Sequence, residues 1–178
     1  MKALLPVIFG TTALLSGASF AESTNTITFK GEITDQTCSV TVNGSSARPV
    51  VLLPTISKSE LADAGSSAGL TTFTMGVSGC SVDSSNLEIK TLFIGTNVTS
   101  SGNLASSGTA ANVELQLLTD ASGKTVIDLS NPTAVAGISI PAGEHSGEHD
   151  YAVQYYSPTG NAGAGDVVAA VQYAISYL

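Results

Sequence analysis

Apolar side chains recur at every second position along much of this chain, and this alternation constrains the fold more than any other feature. Phe73, Met75 and Val77 alternate with polar residues, as expected for a strand with one buried face. No stretch of about 15 residues shows the apolar spacing of a helix. Strands are predicted at residues 27–33, 40–42, 50–53, 73–77, 86–98, 113–119, 124–129, 138–140, 151–155 and 167–177.

Turn residues separate these predicted strands. Asn43-Gly44 is typical of a tight hairpin turn, and Asp120-Ala-Ser-Gly123 of a longer hairpin loop. Pro54 ends the apolar run 50–53, which we expect to be a short buried strand. Short strands joined in this way predict an all-β fold, an antiparallel sandwich.

The N-terminal segment has the three regions of a signal peptide. Lys2 supplies the positive start, residues 3–15 are apolar and uncharged, and Ser19-Phe20-Ala21 matches a signal-peptidase site. We expect cleavage after Ala21, with Ala18 as the alternative. Residues 1–21 would then be removed from an exported chain. Loss of Lys2 changes the net charge from −8 to 5 − 14 = −9.

The chain has two cysteines, Cys38 and Cys80. An exported protein folds in an oxidising compartment, where a single pair of cysteines is expected to form a disulfide. Two cysteines alone do not supply the four ligands of a structural zinc site.

The composition argues against both catalysis and nucleic-acid binding. Acidic residues outnumber basic ones 14 to 6, whereas a nucleic-acid partner requires a basic surface. His145 and His149 are the only histidines, and they lie in a Gly-rich stretch before a predicted strand. Their spacing would suit zinc on a helix, but Gly143 and Gly147 favour a solvated turn. We therefore expect no catalytic residues, no metal and no cofactor.

Both ends of the exported chain carry alternating strands. In the last strand, six apolar or aromatic residues occupy alternate positions and would share one face: Val167, Ala169, Val171, Tyr173, Ile175 and Tyr177. Terminal strands tend to become sheet edges, and an apolar edge invites pairing with another chain. The alternative is that both strands are covered within the domain.

Three motifs resemble the subunits of chaperone–usher fimbriae, the type 1-like pilin family. The first is Phe29-Lys-Gly31-Glu-Ile33, with Cys38 seven residues after the glycine. The second runs from Thr72-Phe73 to Gly79-Cys80, where the second cysteine closes a strand. The third combines Gly165, fourteenth from the C-terminus, with the penultimate Tyr177.

This resemblance implies an incomplete immunoglobulin-like antiparallel β-sandwich, completed by a donor strand from a neighbouring subunit or a chaperone. Residues 22–35 would be the donor-strand extension and residues 36–178 the pilin domain. Ile27, Phe29 and Ile33 would fill pockets of a neighbour's groove, with Gly31 where the groove is too shallow for a side chain. The acceptor groove and chaperone contact would comprise Gly165, Val167, Val171, Tyr173, Ile175 and Tyr177.

The function implied is that of a structural subunit, not an enzyme. It would polymerise by donor-strand exchange after a periplasmic chaperone delivers it to an outer-membrane usher, and the fimbrium would support cell adhesion. Its partners would be identical or related pilin subunits, the chaperone and the usher; a host receptor is possible, and the sequence does not identify it. Its final location would be an extracellular fimbrium on the bacterial surface. The alternative is a single-domain secreted module that binds glycans or proteins.

Overall fold

The computed structural model describes residues 38–82 and 84–177. Within these residues, eight strands form two antiparallel sheets. One sheet has the order β1-β2-β7-β5-β4 and the other β6-β3-β8. The strands are β1 (Ser39–Val42), β2 (Ser66–Ser78), β3 (Leu87–Gly95), β4 (Leu104–Ala105), β5 (Glu114–Leu118), β6 (Val135–Ile140), β7 (Ser146–Ser157) and β8 (Val171–Ser176).

The predicted alternation explains how the sheets meet. In β2, Phe73, Met75 and Val77 are buried while the residues between them are less so. In β3, Ile89 and Phe93 are buried in the same cluster. The apolar faces of both sheets therefore contribute to one core, which gives the immunoglobulin-like antiparallel sandwich expected from the sequence.

Two local predictions are confirmed at the start of the domain. Cys38 and Cys80 form a disulfide, which links the start of β1 to the residues just after β2. At the other end of β1, Asn43 and Gly44 both have positive φ angles, of 49° and 76°. These angles are the ones a tight two-residue hairpin turn requires.

The prediction of a buried strand at residues 50–53 is wrong. No sheet includes this segment, and the side chains of Val50 and Leu52 are 73% and 83% exposed. Val51 and Leu53 pack against the core only in part. Alternate side chains of this segment therefore face solvent and the core, and the segment is not a buried strand.

The predicted strand at residues 124–129 is also not formed. Only one isolated bridge, between Leu118 and Val126, joins this segment to β5. Ile127 and Leu129 are nevertheless buried in the core. The alternation at residues 124–129 therefore comes from side chains of a loop that face the core. The segment is not a strand, because it makes only this one bridge with β5.

Candidate functional site

β8 lies at the edge of the smaller sheet. It pairs in antiparallel register with β3, for example Phe93 with Tyr173 and Gly95 with Val171. Over residues 171–175, no other strand within the described part of the chain pairs with its second edge. An edge of this kind presents backbone N–H and C=O groups to an incoming strand.

The inward face of this C-terminal segment is only half-buried. Six side chains of one parity pack against the main core without being enclosed by it: Val167, Ala169, Val171, Tyr173, Ile175 and Tyr177. Between them, Val168, Ala170, Gln172 and Ala174 are exposed. The core is therefore left incomplete along this edge.

A cavity of about 400 Å³ lies beside that face, and we call it the edge groove. Its floor includes core residues such as Phe73, Phe93 and Val153. One side is formed by residues 168–171 and Tyr173, and the other by Pro49, Val50, Val51 and Leu53. Nearly every lining residue is apolar, so the edge groove suits an apolar strand rather than a polar ligand.

The segment 49–58 forms the wall opposite β8. The Tyr155 hydroxyl donates a hydrogen bond of 3.2 Å to the Pro54 carbonyl, which ties this wall to β7. Burial raises the pKa of Tyr155 further above its usual value of 10.0, which favours the protonated hydroxyl that donates this hydrogen bond. Residues 58–61 then form a short 3-10 helix that begins with a capping box between Ser57 and Glu60.

A second cavity of about 580 Å³ extends the edge groove, and we call it the end pocket. It is lined by Ile56, Lys58 and Leu61 on one side and by residues 163–168 on the other. Val168 lines both cavities. Both cavities lie between the segments 49–58 and 163–173, which run in opposite directions along their walls, and we call the two cavities together the channel.

Residues 106–111, which we call the strap, hold the segment before β8. Ser107 N–H donates to the Val168 carbonyl at 2.8 Å, and Ala110 N–H donates to the Asp166 carbonyl at 3.0 Å. Asp166 N–H in turn donates to Thr109 Oγ1 at 3.0 Å. These bonds explain why β8 starts at Val171 although the alternation starts at Val167.

The strap also explains the glycine fourteen positions from the C-terminus. Gly165 has a φ of +156°, and a Cβ at this position would lie 2.5 Å from Ala110 N. A side chain there would push the strap away from the end pocket. Gly165 thus allows two backbone segments to approach closely.

The predicted site residues divide into three groups in the structure. Gly165 and Val167 line the end pocket, and Val171 and Tyr173 line the edge groove. Ile175 and Tyr177 pack against the core further along. The predicted donor residues Ile27, Phe29, Gly31 and Ile33 lie outside the described residues.

Sequence reasoning missed the wall 49–58 and the strap. The apolar run 50–53 was a usable signal, but it predicted a buried strand instead of a groove wall. No pattern identified the strap, because its contacts with Val168 join residues about 60 positions apart. Such a pairing leaves no periodicity in either segment.

The two histidines lie on and beside a strand rather than on a helix. His145 Nδ1 donates to the Cys80 carbonyl at 2.9 Å, while His149 Nε2 donates to the Thr119 carbonyl at 2.8 Å. His149 also makes an edge-on contact with the ring of Tyr151. Each imidazole has its own structural contacts, and the described residues contain no cluster of three metal-ligating side chains.

Within the described residues, no helix has the length and apolar character needed to cross a membrane.

Comparison with known proteins identifies the class. The sequence model of the family described as Fimbrial protein matches residues 27–178. The chain is 36% identical to the F17 fimbrial protein of Escherichia coli, with 96% of each chain covered. It is 35% identical to the major fimbrial subunit SMF-1 of Stenotrophomonas maltophilia, covering 85% of this chain and 91% of that one.

A solved structure shows the same fold. The type I fimbria protein BPSL1626 of Burkholderia pseudomallei superimposes with a TM-score of 0.54 at 19% identity, covering 80% of this chain and 99% of that one. The fold and the comparisons define a pilus subunit, a structural protein and not an enzyme. The chain belongs to the fimbrial protein family, whose members form pili on the outer surface of the cell.

Proposed function

We propose that this subunit polymerises by donor-strand exchange, with residues 22–35 of one copy filling the edge groove and end pocket of the next. The observation that carries the proposal is the half-buried apolar face of β8 beside the apolar edge groove. A strand with alternating apolar residues fits such a channel, because one face completes the core while the backbone extends the sheet.

The extension has the pattern that this channel requires. Ile27, Phe29 and Ile33 share one face with Gly31. Each large side chain, once buried, contributes roughly 1.5–3 kcal/mol of favourable free energy. Hydrogen bonds to the open edge of β8 would fix the direction and register of the added strand.

Delivery and location complete the proposal. The open channel would expose core residues in water before assembly, so a periplasmic chaperone would cover it until the subunit reaches an outer-membrane usher. The chaperone would contact the same residues as the donor strand: Gly165, Val167, Val171, Tyr173, Ile175 and Tyr177. The finished fimbrium would then support cell adhesion.

Removing the extension tests the proposal. We expect the mature chain to form ladders that survive mild denaturant, and a chain lacking residues 22–34 to form none. Gly31→Val should slow assembly strongly, because the valine side chain would enter the part of the channel that the family resemblance implies is too shallow for a side chain. Thr28→Val, on the opposite face of the extension, is the matched control and should assemble at the normal rate. Equal ladder formation by the intact and shortened chains would refute donor-strand exchange.

A further inference from the structure

Two opposite charges flank the end pocket. Lys58 lies on the 3-10 helix and Asp166 on the segment held by the strap. Both residues are exposed. Among residues 38–82 and 84–177, Lys58 is the only Lys or Arg that lines either the end pocket or the edge groove. A strand that enters this pocket therefore meets one positive and one negative wall.

The extension carries the complementary pair of charges. If the extension is a strand, the alternation of its sequence would place Lys30 and Glu32 on the face opposite Ile27, Phe29 and Ile33. Successive residues on one face of a strand are about 7 Å apart. Long charged side chains at this spacing reach sideways to the walls of a channel while the apolar face points into it.

The direction of the added strand brings these charges together. Every described strand pair is antiparallel, and an antiparallel strand beside β8 would bring residues 30–33 to the end pocket, which lies before the start of β8. The opposite direction would place the uncharged residues 25–28 there. Charge complementarity thus agrees with the antiparallel direction only.

We propose that the walls of the end pocket recognise the extension of a second copy of this chain by charge, with Lys58 facing Glu32 and Asp166 facing Lys30. This inference rests on the proposed function, because it requires the extension to occupy the channel. Two subunits of charge −9 repel each other, so a local pairing of opposite charges favours their encounter. Charges at the rim of an interface act mainly on the association rate.

A peptide-capture assay tests this pairing. The acceptor is the full mature chain carrying Phe29→Asp, which removes the apolar contact of its own extension and leaves the groove unchanged. The donor is a fluorescent peptide of residues 22–36. Its capture rate is measured by anisotropy at about 20 mM and about 500 mM salt, since high salt screens exposed charges.

We expect Lys58→Glu in the acceptor to slow capture about two- to fivefold at low salt. A Glu32→Lys peptide should restore the rate with this variant, and high salt should remove both effects. Lys124→Glu makes the same charge change at a residue that lines neither cavity and should have a much smaller effect. Thermal unfolding of each acceptor checks that it is folded.

Two outcomes distinguish failure of the charge pairing from failure of the proposed donor-strand function. Equal capture by the Lys58→Glu and unmodified acceptors at low salt, or no recovery with the Glu32→Lys peptide, would overturn the charge pairing alone. Capture of a Phe29→Asp peptide as fast as the native peptide would instead refute the proposed donor-strand function. The native peptide should bind in both salt conditions, because apolar burial supplies most of the affinity.

Discussion

The centre of the sandwich and its β8 edge are built from the same alternating pattern but are enclosed to different extents. Met75, Ile138 and Tyr151 are fully buried between the two sheets. Val171, Tyr173 and Ile175 also point inward, yet they remain half-buried. The difference lies in the neighbours: the central residues are covered from both sheets, and the edge residues lack a strand beside them. Burial in this chain therefore depends on strand order, which alternation alone does not specify.

The largest expected effect comes from a matched pair of substitutions in these two regions. Ile138→Ala should reduce the free energy of unfolding by about 2–5 kcal/mol, because it leaves a cavity among enclosed side chains. Ile175→Ala should cost less than half as much in a monomer, since its side chain is already partly hydrated. Urea unfolding of both variants in the Phe29→Asp chain measures the difference.

Assembly into fibres should make the Ile175 side chain contribute more to stability than it does in the monomer. If a donor strand encloses Ile175, fibres of the Ile175→Ala chain should dissociate in denaturant well before fibres of the native chain. Equal costs for Ile138→Ala and Ile175→Ala in the monomer would contradict the view that the β8 edge is incomplete.

A smaller effect is expected where the strap meets the segment before β8. Gly165→Ala should destabilise the monomer by about 1–3 kcal/mol, because the added methyl group meets the strap backbone. Gly143→Ala is the control: Gly143 also has a positive φ, of +82°, but open space around it. Thermal unfolding of the two variants separates the packing cost from the backbone cost. If both variants lose the same free energy of unfolding, the close approach of the strap to Gly165 does not contribute to stability.

The smallest effect concerns a hydroxyl in the closed centre. The hydroxyl groups of Tyr151 and Thr91 are both buried, and neither has a hydrogen-bond partner of good geometry among the described residues. Burial raises the pKa of Tyr151 above its usual value of 10.0, and the nearby Thr91 hydroxyl acts in the opposite direction without cancelling this shift. Tyr151→Phe should therefore change stability by less than about 1 kcal/mol at pH 7.

The raised pKa gives this variant a pH dependence. The folded state holds the phenol proton more tightly than the unfolded state, so its contribution is complete below pH 10 and is lost as the pH rises through the folded pKa. Tyr151→Phe should lose less stability than the native chain between pH 9 and pH 11. Urea unfolding across this range measures it, and parallel losses in both chains would show that the pKa of Tyr151 is the same in the folded and unfolded states, which would contradict the raised pKa.

The sequence predicted the sandwich and the disulfide because both depend on local patterns and simple counts. It also predicted which face of the last strand points inward. It did not predict that Val50 and Leu52 are exposed, because an apolar run does not show whether a partner strand exists in the same chain. The strap escaped prediction for a related reason: its contacts with Asp166 depend on a chain approach made possible by Gly108 and Gly165, which are distant in sequence.

Mixing two differently defective chains tests the central claim most directly. Phe29→Asp damages the extension, whereas Ala169→Phe fills the edge groove with an apolar ring. Ala174→Phe, on the exposed face of β8, is the control for the second change and should assemble normally. We expect each defective chain alone to remain monomeric and an equimolar mixture to form dimers and nothing larger, as measured by light scattering after size exclusion. Long fibres from either defective chain alone, or from the mixture, would contradict the account.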